Sequence, residues 1–133
     1  MYNLDLYSCQ YLFYFLLNKF NINNTSRLVK GKYFLFCGSK AYFEILDFVV
    51  SCFEKLNIDD INLVLITQNT NHLKNRIEKS HKRDHVLVME NIPYENLVNL
   101  FKGSEALMIP MRNNDQDKAR FPHKISEYCA AHR

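Results

Sequence analysis

The chain has 133 residues, of which 47% are hydrophobic, 14% aromatic and 23% charged, with three glycines and three prolines. This length suits one packed domain and is too short for two ordinary ones, and the composition excludes a disordered or low-complexity chain. Seventeen Lys and Arg residues against 14 Asp and Glu give a formal net charge of +3. That charge is too small to indicate nucleic acid or an anionic membrane as a partner.

The N-terminal residues differ in character from the rest of the chain. Residues 1–31 are predicted to form an extension, with one aromatic helix over about residues 6–20 and an Asn-rich turn after it. The longest apolar run, residues 11–17, is far shorter than the roughly 20 residues that cross a bilayer, and its flanks do not fit a secretory signal. We therefore expect no transmembrane segment and a cytoplasmic protein, or one bound peripherally at the inner face of a membrane.

From residue 32 onward, short β-rich runs alternate with segments of helical periodicity. This order is typical of a parallel α/β sheet with right-handed crossovers and helices on both faces. The predicted strands are residues 33–37, 61–66, 85–89 and 106–110, and the predicted helices are residues 42–56, 71–80, 93–103 and a last one from residue 122. An open doubly wound sheet usually has about five or six strands, so we expect a Rossmann-like domain over residues 32–133 that is incomplete at its C-terminus.

The predicted helices carry apolar faces that should pack on this sheet. In the first helix the face includes Ile45, Val49 and Cys52, and in the third it is the stripe formed by Leu97, Leu100 and Phe101. The chain has no CxxC pair, which predicts reduced, packed thiols and neither a disulfide framework nor a zinc site. The four thiols are those of Cys9, Cys37, Cys52 and Cys129.

Ligands of open parallel sheets bind beyond the carboxyl ends of the strands. Gly38 and Ser39 directly follow the first strand, and a glycine there lets the backbone approach a ligand such as a phosphate at the start of a helix. Lys40 would add a flexible cation. An ordinary tight turn is the better explanation of this pair taken alone, because the G-x-G-x-x-G pattern and the P-loop lysine are both absent.

A second candidate site lies where a polar loop, residues 111–120, joins the fourth strand to the last helix. Pro122 presets the first helical turn beside Lys124, an arrangement that favours an anion such as a diphosphate. Glu127 lies one turn further on, and a carboxylate there can accept hydrogen bonds from two sugar hydroxyls. The alternative is a solvated Lys-Glu pair on a helix, which contributes only about 0.2–0.5 kcal/mol.

The stretch A-R-F-P-H-K-I-S-E-Y-C-A-A, residues 119–131, resembles the donor-site signature of the retaining group-one glycosyltransferases, which have the GT-B fold. Upstream motifs resemble that family in the same order: a strand ending in F-x-G-S, and then I-P-Y-E-N-L-V-N-L-F-K-G-S-E-A-L-M-I-P-M-R over residues 92–112. The resemblance covers residues 32–133. It implies the nucleotide-sugar-binding half of such an enzyme, with a nucleotide-diphosphate sugar as donor substrate and no further cofactor.

The resemblance also assigns roles to individual residues. It implies that Glu127 binds the ribose hydroxyls of the nucleotide and that Lys124 faces the diphosphate, with help from Arg120 or Arg112. Lys40 matches the basic residue after the first strand only loosely. The first glutamate of the family's paired-glutamate motif falls at Ala119 and is missing, so the residue that holds the transferred sugar is unassigned. The catalytic residues are also unassigned, because in this family the acceptor-binding half carries the catalytic base region.

Residues 1–31 cannot supply the acceptor-binding half of a GT-B enzyme. We therefore expect the chain alone to bind its donor without transferring the sugar, and to associate with itself or with a separate acceptor-binding half. The alternative is a catalytically silent α/β binding or interaction module.

Two weaker patterns favour ordinary surface roles. His81 and His85 have a spacing that zinc can use on a helix, but no third ligand is near and a strand follows. A basic cluster lacks the interleaved aromatics of a nucleic-acid site, and a solvated helix face is the better interpretation. Its members are Lys74, Arg76, Lys79, Lys82 and Arg83.

Overall fold

The computed structural model describes residues 28–38, 43–68, 70–115, 119 and 124–131. Within these residues four strands form one parallel sheet: β1 (Lys32–Cys37), β2 (Ile61–Ile66), β3 (Val86–Met89) and β4 (Ala106–Leu107). The helices are α1 (Phe43–Glu54), α2 (Asn71–Glu78), α3 (Tyr94–Gly103) and α4 (Lys124–Ala130), with a 3-10 turn at Arg83–His85. The predicted α/β class, a Rossmann-like parallel sheet with flanking helices, is confirmed.

The strand order is β3-β2-β1-β4. β1 pairs with β2 along its whole length, from Lys32 opposite Ile61 to Cys37 opposite Ile66, whereas β4 pairs only with Phe34 and Leu35. Because all pairs are parallel, the four carboxyl ends meet at one edge of the sheet.

Alternate residues of β1 face opposite sides of the sheet, and each side is covered by two helices. Tyr33 and Leu35 belong to a core with α3 and α4, whereas Phe36 belongs to a second core with α1 and α2. The near-continuous apolar sequence of β2 follows from this burial on both faces. Its buried members are Ile61, Leu63, Val64, Leu65 and Ile66.

Tyr33 ties the sheet to the end of α3. Its buried hydroxyl donates a hydrogen bond to the Leu100 carbonyl at 2.7 Å. The Ser104 N–H donates to the Phe101 carbonyl instead, so the tyrosine satisfies a helix-terminal acceptor. Gly103 makes room for this contact, since a Cβ atom there would lie 2.6 Å from the Tyr33 hydroxyl.

An arginine fastens α2 to α1. The Arg76 guanidinium donates to both carboxylate oxygens of Glu54, at 2.9 and 2.8 Å, to Asp47 at 2.7 Å and to Ser51 at 3.2 Å. The hydrogen bonds that Arg76 donates to Glu54 are the main reason why the pKa of Glu54 is lowered to about 2. Arg76 is a member of the predicted basic cluster, but its guanidinium forms ion pairs with Asp47 and Glu54 of α1.

Lys82 also has intramolecular partners. Its Nζ donates to the carbonyls of Leu56 and Ile58 at 2.5 and 2.9 Å and lies 5.4 Å from the centroid of the Phe53 ring. The basic cluster is therefore divided, with Lys74, Lys79 and Arg83 on the solvated surface. His85 lies in the 3-10 turn and not in β3, and its Nδ1 is 3.3 Å from Oδ1 of Asn62.

The end of β4 and the buried face of α3 differ from expectation. β4 ends at Leu107, although the Met108 N–H still donates to the Leu35 carbonyl at 2.8 Å; Pro110 has no N–H with which to prolong the pairing. In α3 the fully buried residue beside Leu100 and Phe101 is Val98, and Leu97 is only half-buried. Leu97 and Val98 both border the apolar stripe of this helix, and the orientation of the helix on the sheet determines which of the two is buried more deeply.

The prediction of packed thiols is wrong for two cysteines. Cys37, Cys52 and Cys129 are free, as expected, but only Cys37 is partly buried, whereas Cys52 and Cys129 are exposed. Cys52 lines an apolar groove of about 380 Å³ between α1 and the β4 side of the sheet, together with Phe34 and Phe48. This flank of α1 is not covered by other described residues, which is why the thiol is exposed. Cys9 lies outside the described residues.

The helix predicted over residues 6–20 also lies outside the described part of the chain. Val29 is buried in the core on the α3 side, and Gly31 adopts a left-handed conformation, φ +79°, immediately before β1. The division at residues 31 and 32 stays a prediction. No helix in the described ranges is both long and apolar enough to span a bilayer.

Candidate functional site

The strand order creates a crevice at the carboxyl edge of the sheet. The chain proceeds outward from β1 to β2 and β3, and then crosses back to place β4 on the other side of β1. Connections leaving β1 and β4 therefore diverge at this point, which is where ligands of open α/β sheets bind. The predicted site residues follow these two strands.

Gly38 ends β1 at the crevice. Its N–H donates to the Ile66 carbonyl at 2.9 Å and continues the sheet, so this N–H is not available to a ligand. A Cβ atom at Gly38 would lie 2.6 Å from Cε1 and Cζ of Phe36. The glycine is therefore required because the Phe36 ring fills the space of a side chain, and not because of an unusual backbone angle.

Lys124 begins α4 on the same side of the crevice. Its Nζ lies 5.8 Å from the centroid of the Phe36 ring, and its ammonium favours the ionised form of the Cys37 thiol. Burial raises the pKa of Cys37, and this effect outweighs the opposing effect of the Lys124 ammonium. The thiol is consequently protonated at neutral pH and does not itself compensate the positive charge of Lys124.

Glu127 lies one turn further along α4 and is half-buried. Its negative charge adds to the burial that raises the pKa of Tyr94 and the pKa of Cys37, and in both cases burial is the larger cause. Tyr94 is the first residue of α3. The carboxylate of Glu127 therefore acts electrostatically on the end of β1 and on the start of α3.

Tyr128 holds α4 against the sheet. Its side chain is 4% exposed, and its ring meets that of Phe101 edge to face, with centroids 5.2 Å apart and an interplanar angle of 82°. Burial raises the pKa of the Tyr128 phenol well above its usual range. Ala130 and Ala131 are buried in the same core, so packing of this face of α4 directs Lys124 and Glu127 toward the crevice.

The remaining predicted residues are less closely defined. Arg112 is exposed in the connection that follows β4, and its carbonyl accepts a hydrogen bond from the Asn114 N–H at 2.9 Å. Ser39, Lys40 and Arg120 lie outside the described residues. The structure therefore places Gly38, Lys124 and Glu127 near the end of β1, and the binding roles of all seven residues stay predictions.

A second polar cluster at the carboxyl edge was missed from the sequence. Glu90, directly after β3, accepts hydrogen bonds from both the N–H and the hydroxyl of Thr70, which precedes α2. Its carboxylate also lies 3.9 Å from Lys74, and the Thr70 hydroxyl above all lowers the pKa of Glu90. The cluster joins the connections that leave β2 and β3. A polar residue at each strand end was its only signal in the sequence.

These side chains suit binding by charge and hydrogen bonds. The Lys124 ammonium can pair with an anion, and the Glu127 carboxylate can accept hydrogen bonds from two hydroxyl groups. Among the described residues, no group of three or more His, Cys, Asp or Glu side chains is arranged to hold a metal ion.

Comparison with known proteins gives one finding. The model of the family "Glycosyl transferases group 1" matches residues 18–132, which is most of the chain. A search of curated proteins gives no significant match.

Proposed function

We propose that this chain, which belongs to the group 1 glycosyl transferases, forms the donor-binding portion of a retaining enzyme with the GT-B fold. Its substrate would be a nucleotide-diphosphate sugar, and its place in the reaction would be to hold that donor while the sugar passes to an acceptor hydroxyl. The observation that carries this proposal is the position of Lys124 and Glu127, one turn apart on α4 beside the end of β1.

Lys124 would bind the diphosphate. Lys124 is half-buried, and its ammonium lies near an aromatic ring and acts on a protonated thiol, neither of which carries a charge. A diphosphate supplies negative charge, and partial burial makes that attraction stronger than it would be in free solvent. Arg112 and Arg120 are the further candidates for this role.

Glu127 would bind the ribose. A carboxylate has two oxygens and accepts hydrogen bonds only, so it matches the two adjacent hydroxyls of a ribose ring. Since the side chain is half-buried, removing its charge leaves these hydroxyls without a full partner. The expected loss is about 1.5–3 kcal/mol for hydrogen bonds to a charged group, or roughly a ten- to hundredfold weaker affinity.

The test is titration calorimetry of the full chain with uridine, guanosine and adenosine, each as nucleoside and as diphosphate. Lys124→Ala should weaken diphosphate binding much more than nucleoside binding, and the difference should shrink as the salt concentration rises. Glu127→Gln should weaken both ligand forms to the same degree. We expect no such pattern for the silent interaction module that is the alternative.

Matched controls are available at the other end of the molecule. Glu78 and Lys79 are an exposed carboxylate and an exposed ammonium at the end of α2, which lies at the opposite edge of the sheet. Glu78→Gln and Lys79→Ala should leave the affinity for every ligand unchanged. Equal and small effects of all four substitutions would contradict the proposal and return Lys124 and Glu127 to a solvated helical pair.

A further inference from the structure

Lys124 has a long side chain that would be poorly ordered without a fixed contact. A lysine loses as much as about 2 kcal/mol of rotamer entropy when its side chain is fixed. Here the Nζ atom lies 5.8 Å from the centroid of the Phe36 ring, within the distance of about 6 Å at which an ammonium is attracted to an aromatic face. The ring is therefore a candidate for what holds this ammonium at the end of β1.

The Phe36 ring is itself firmly held. It is 5% exposed and belongs to the core beneath α1. Its outer edge occupies the space where a side chain of residue 38 would lie, 2.6 Å from the Cβ position of Gly38. A ring confined by the core on one side and by the backbone on the other has little freedom to follow the lysine, so the lysine must adapt to the ring.

We propose that Phe36 is a positioning residue for Lys124: its ring holds the ammonium over the carboxyl end of β1, where the diphosphate of the donor binds. This role rests on the function proposed above. A ring attracts a cation without neutralising it, whereas a carboxylate in the same place would form an ion pair and compete with the diphosphate. Phe36 thus orders the ammonium and leaves its charge for the ligand.

The same structure contains a matched control. Lys82 lies 5.4 Å from the centroid of the Phe53 ring, but its Nζ is also fixed by the carbonyls of Leu56 and Ile58. Phe53 and Phe36 are equally buried members of one core, at 3% and 5% exposure. Of these two rings, the Phe36 ring is the one that contacts a lysine at the crevice, so changes to Phe53 report the structural cost of altering a buried ring.

The test replaces Phe36 in the full chain, by site-specific incorporation, with mono- and trifluorinated phenylalanine. Fluorine withdraws charge from the ring face in steps while it nearly preserves the shape of the side chain, so the attraction for the ammonium should fall in steps. Affinity for uridine, guanosine or adenosine diphosphate should fall in the same order, by about three- to tenfold at the highest fluorination. Affinity for the nucleosides should not change. The same series of fluorinated residues at Phe53 should leave the affinities for nucleosides and for nucleoside diphosphates unchanged.

A spectroscopic measurement tests the contact without any ligand. The ε-methylene protons of Lys124, assigned by their loss in Lys124→Arg, should show an upfield ring-current shift that Phe36→Leu removes and the Phe53 series does not. An absent shift, or diphosphate affinities that do not depend on fluorination at Phe36, would overturn the positioning role alone. A wild-type chain that binds no nucleoside diphosphate would overturn the proposed function, and this role with it.

Discussion

The end of α3 yields a prediction whose sign depends on one interatomic distance. The Tyr33 hydroxyl is hydrogen-bonded to the Leu100 carbonyl at 2.7 Å, and a Cβ atom at Gly103 would lie 2.6 Å from that hydroxyl. Carbon and oxygen atoms do not pack so closely. Gly103→Ala must therefore displace the hydroxyl and break its hydrogen bond, so the two positions should be energetically coupled.

The size of the coupling follows from the two single changes. Tyr33→Phe leaves a buried carbonyl without its partner, at a cost of about 1–2 kcal/mol. Gly103→Ala in the wild type loses the same hydrogen bond, offset by at most about 1 kcal/mol for replacing a helical glycine. In the Tyr33→Phe background the nearest ring atom is Cζ, which lies 3.6 Å from the Cβ position of residue 103, an ordinary contact distance. Gly103→Ala therefore breaks no hydrogen bond in that background and contributes only the gain from replacing a helical glycine. The coupling energy should be about 1–2 kcal/mol.

The assay is urea unfolding of the wild type, both single variants and the double variant, followed by circular dichroism. The double variant should be at least as stable as Tyr33→Phe, and more stable than the sum of the single changes predicts. Additive free energies of unfolding, within about 0.3 kcal/mol, would refute the argument.

Three further outcomes follow from the described contacts. Gly38→Ala should destabilise the fold by about 1–3 kcal/mol in thermal denaturation, because the Phe36 ring must move; an unchanged midpoint would show that the ring yields freely. The pKa of Glu54 is about 2 when folded, against 4.5 as its ordinary value, so the stabilisation by Arg76 is present above pH 4.5 and is lost as the pH falls toward 2. Glu54→Gln should accordingly lower stability at pH 7 by about 1–2 kcal/mol and flatten its dependence on pH over that interval in urea titrations. Cys37 should react with iodoacetamide more slowly than the two exposed cysteines, because burial raises its pKa, and peptide mass spectrometry that finds equal rates would contradict this.

The sequence predicted most reliably what local pattern decides. The strand over residues 61–66 agrees with β2 at both ends, because five apolar residues interrupted only by Asn62, between polar turns, are typical of a strand buried on both faces. The helix end at Gly103 was also predicted correctly. Its reason was not, since the glycine is needed by Tyr33, which lies 70 positions earlier in the chain and contacts it only in the folded sheet.

Features that depend on distant partners could not be predicted in this way. Arg76 belonged to a run of basic residues that looked like a solvated face, and only the packing of α2 on α1 brings it to Asp47 and Glu54. Cys52 followed the apolar period of α1, but no described element covers that flank. In both cases the side chain's environment is set by which helix faces pack together, and a single helical period does not contain that information.

The same distinction between local pattern and distant contacts applies to the candidate site. Lys124 and Glu127 could be selected because their spacing and the motif around them lie in one short segment. Their relation to Gly38 needed the strand order, which places the end of β1 beside the crevice that faces α4. The part played by Phe36 was not visible, since an aromatic residue inside an apolar strand predicts only burial.

The most direct test of the donor-binding edge is a titration of the isotope-labelled full chain with a nucleoside diphosphate, followed by amide chemical shifts. We expect concentration-dependent, saturable shifts at Gly38 and along α4 from Lys124 to Glu127. We expect no shifts at Lys82 and His85, which precede β3 at the opposite edge of the sheet. Saturable shifts confined to that opposite edge, or none with uridine, guanosine and adenosine diphosphates alike, would contradict this expectation.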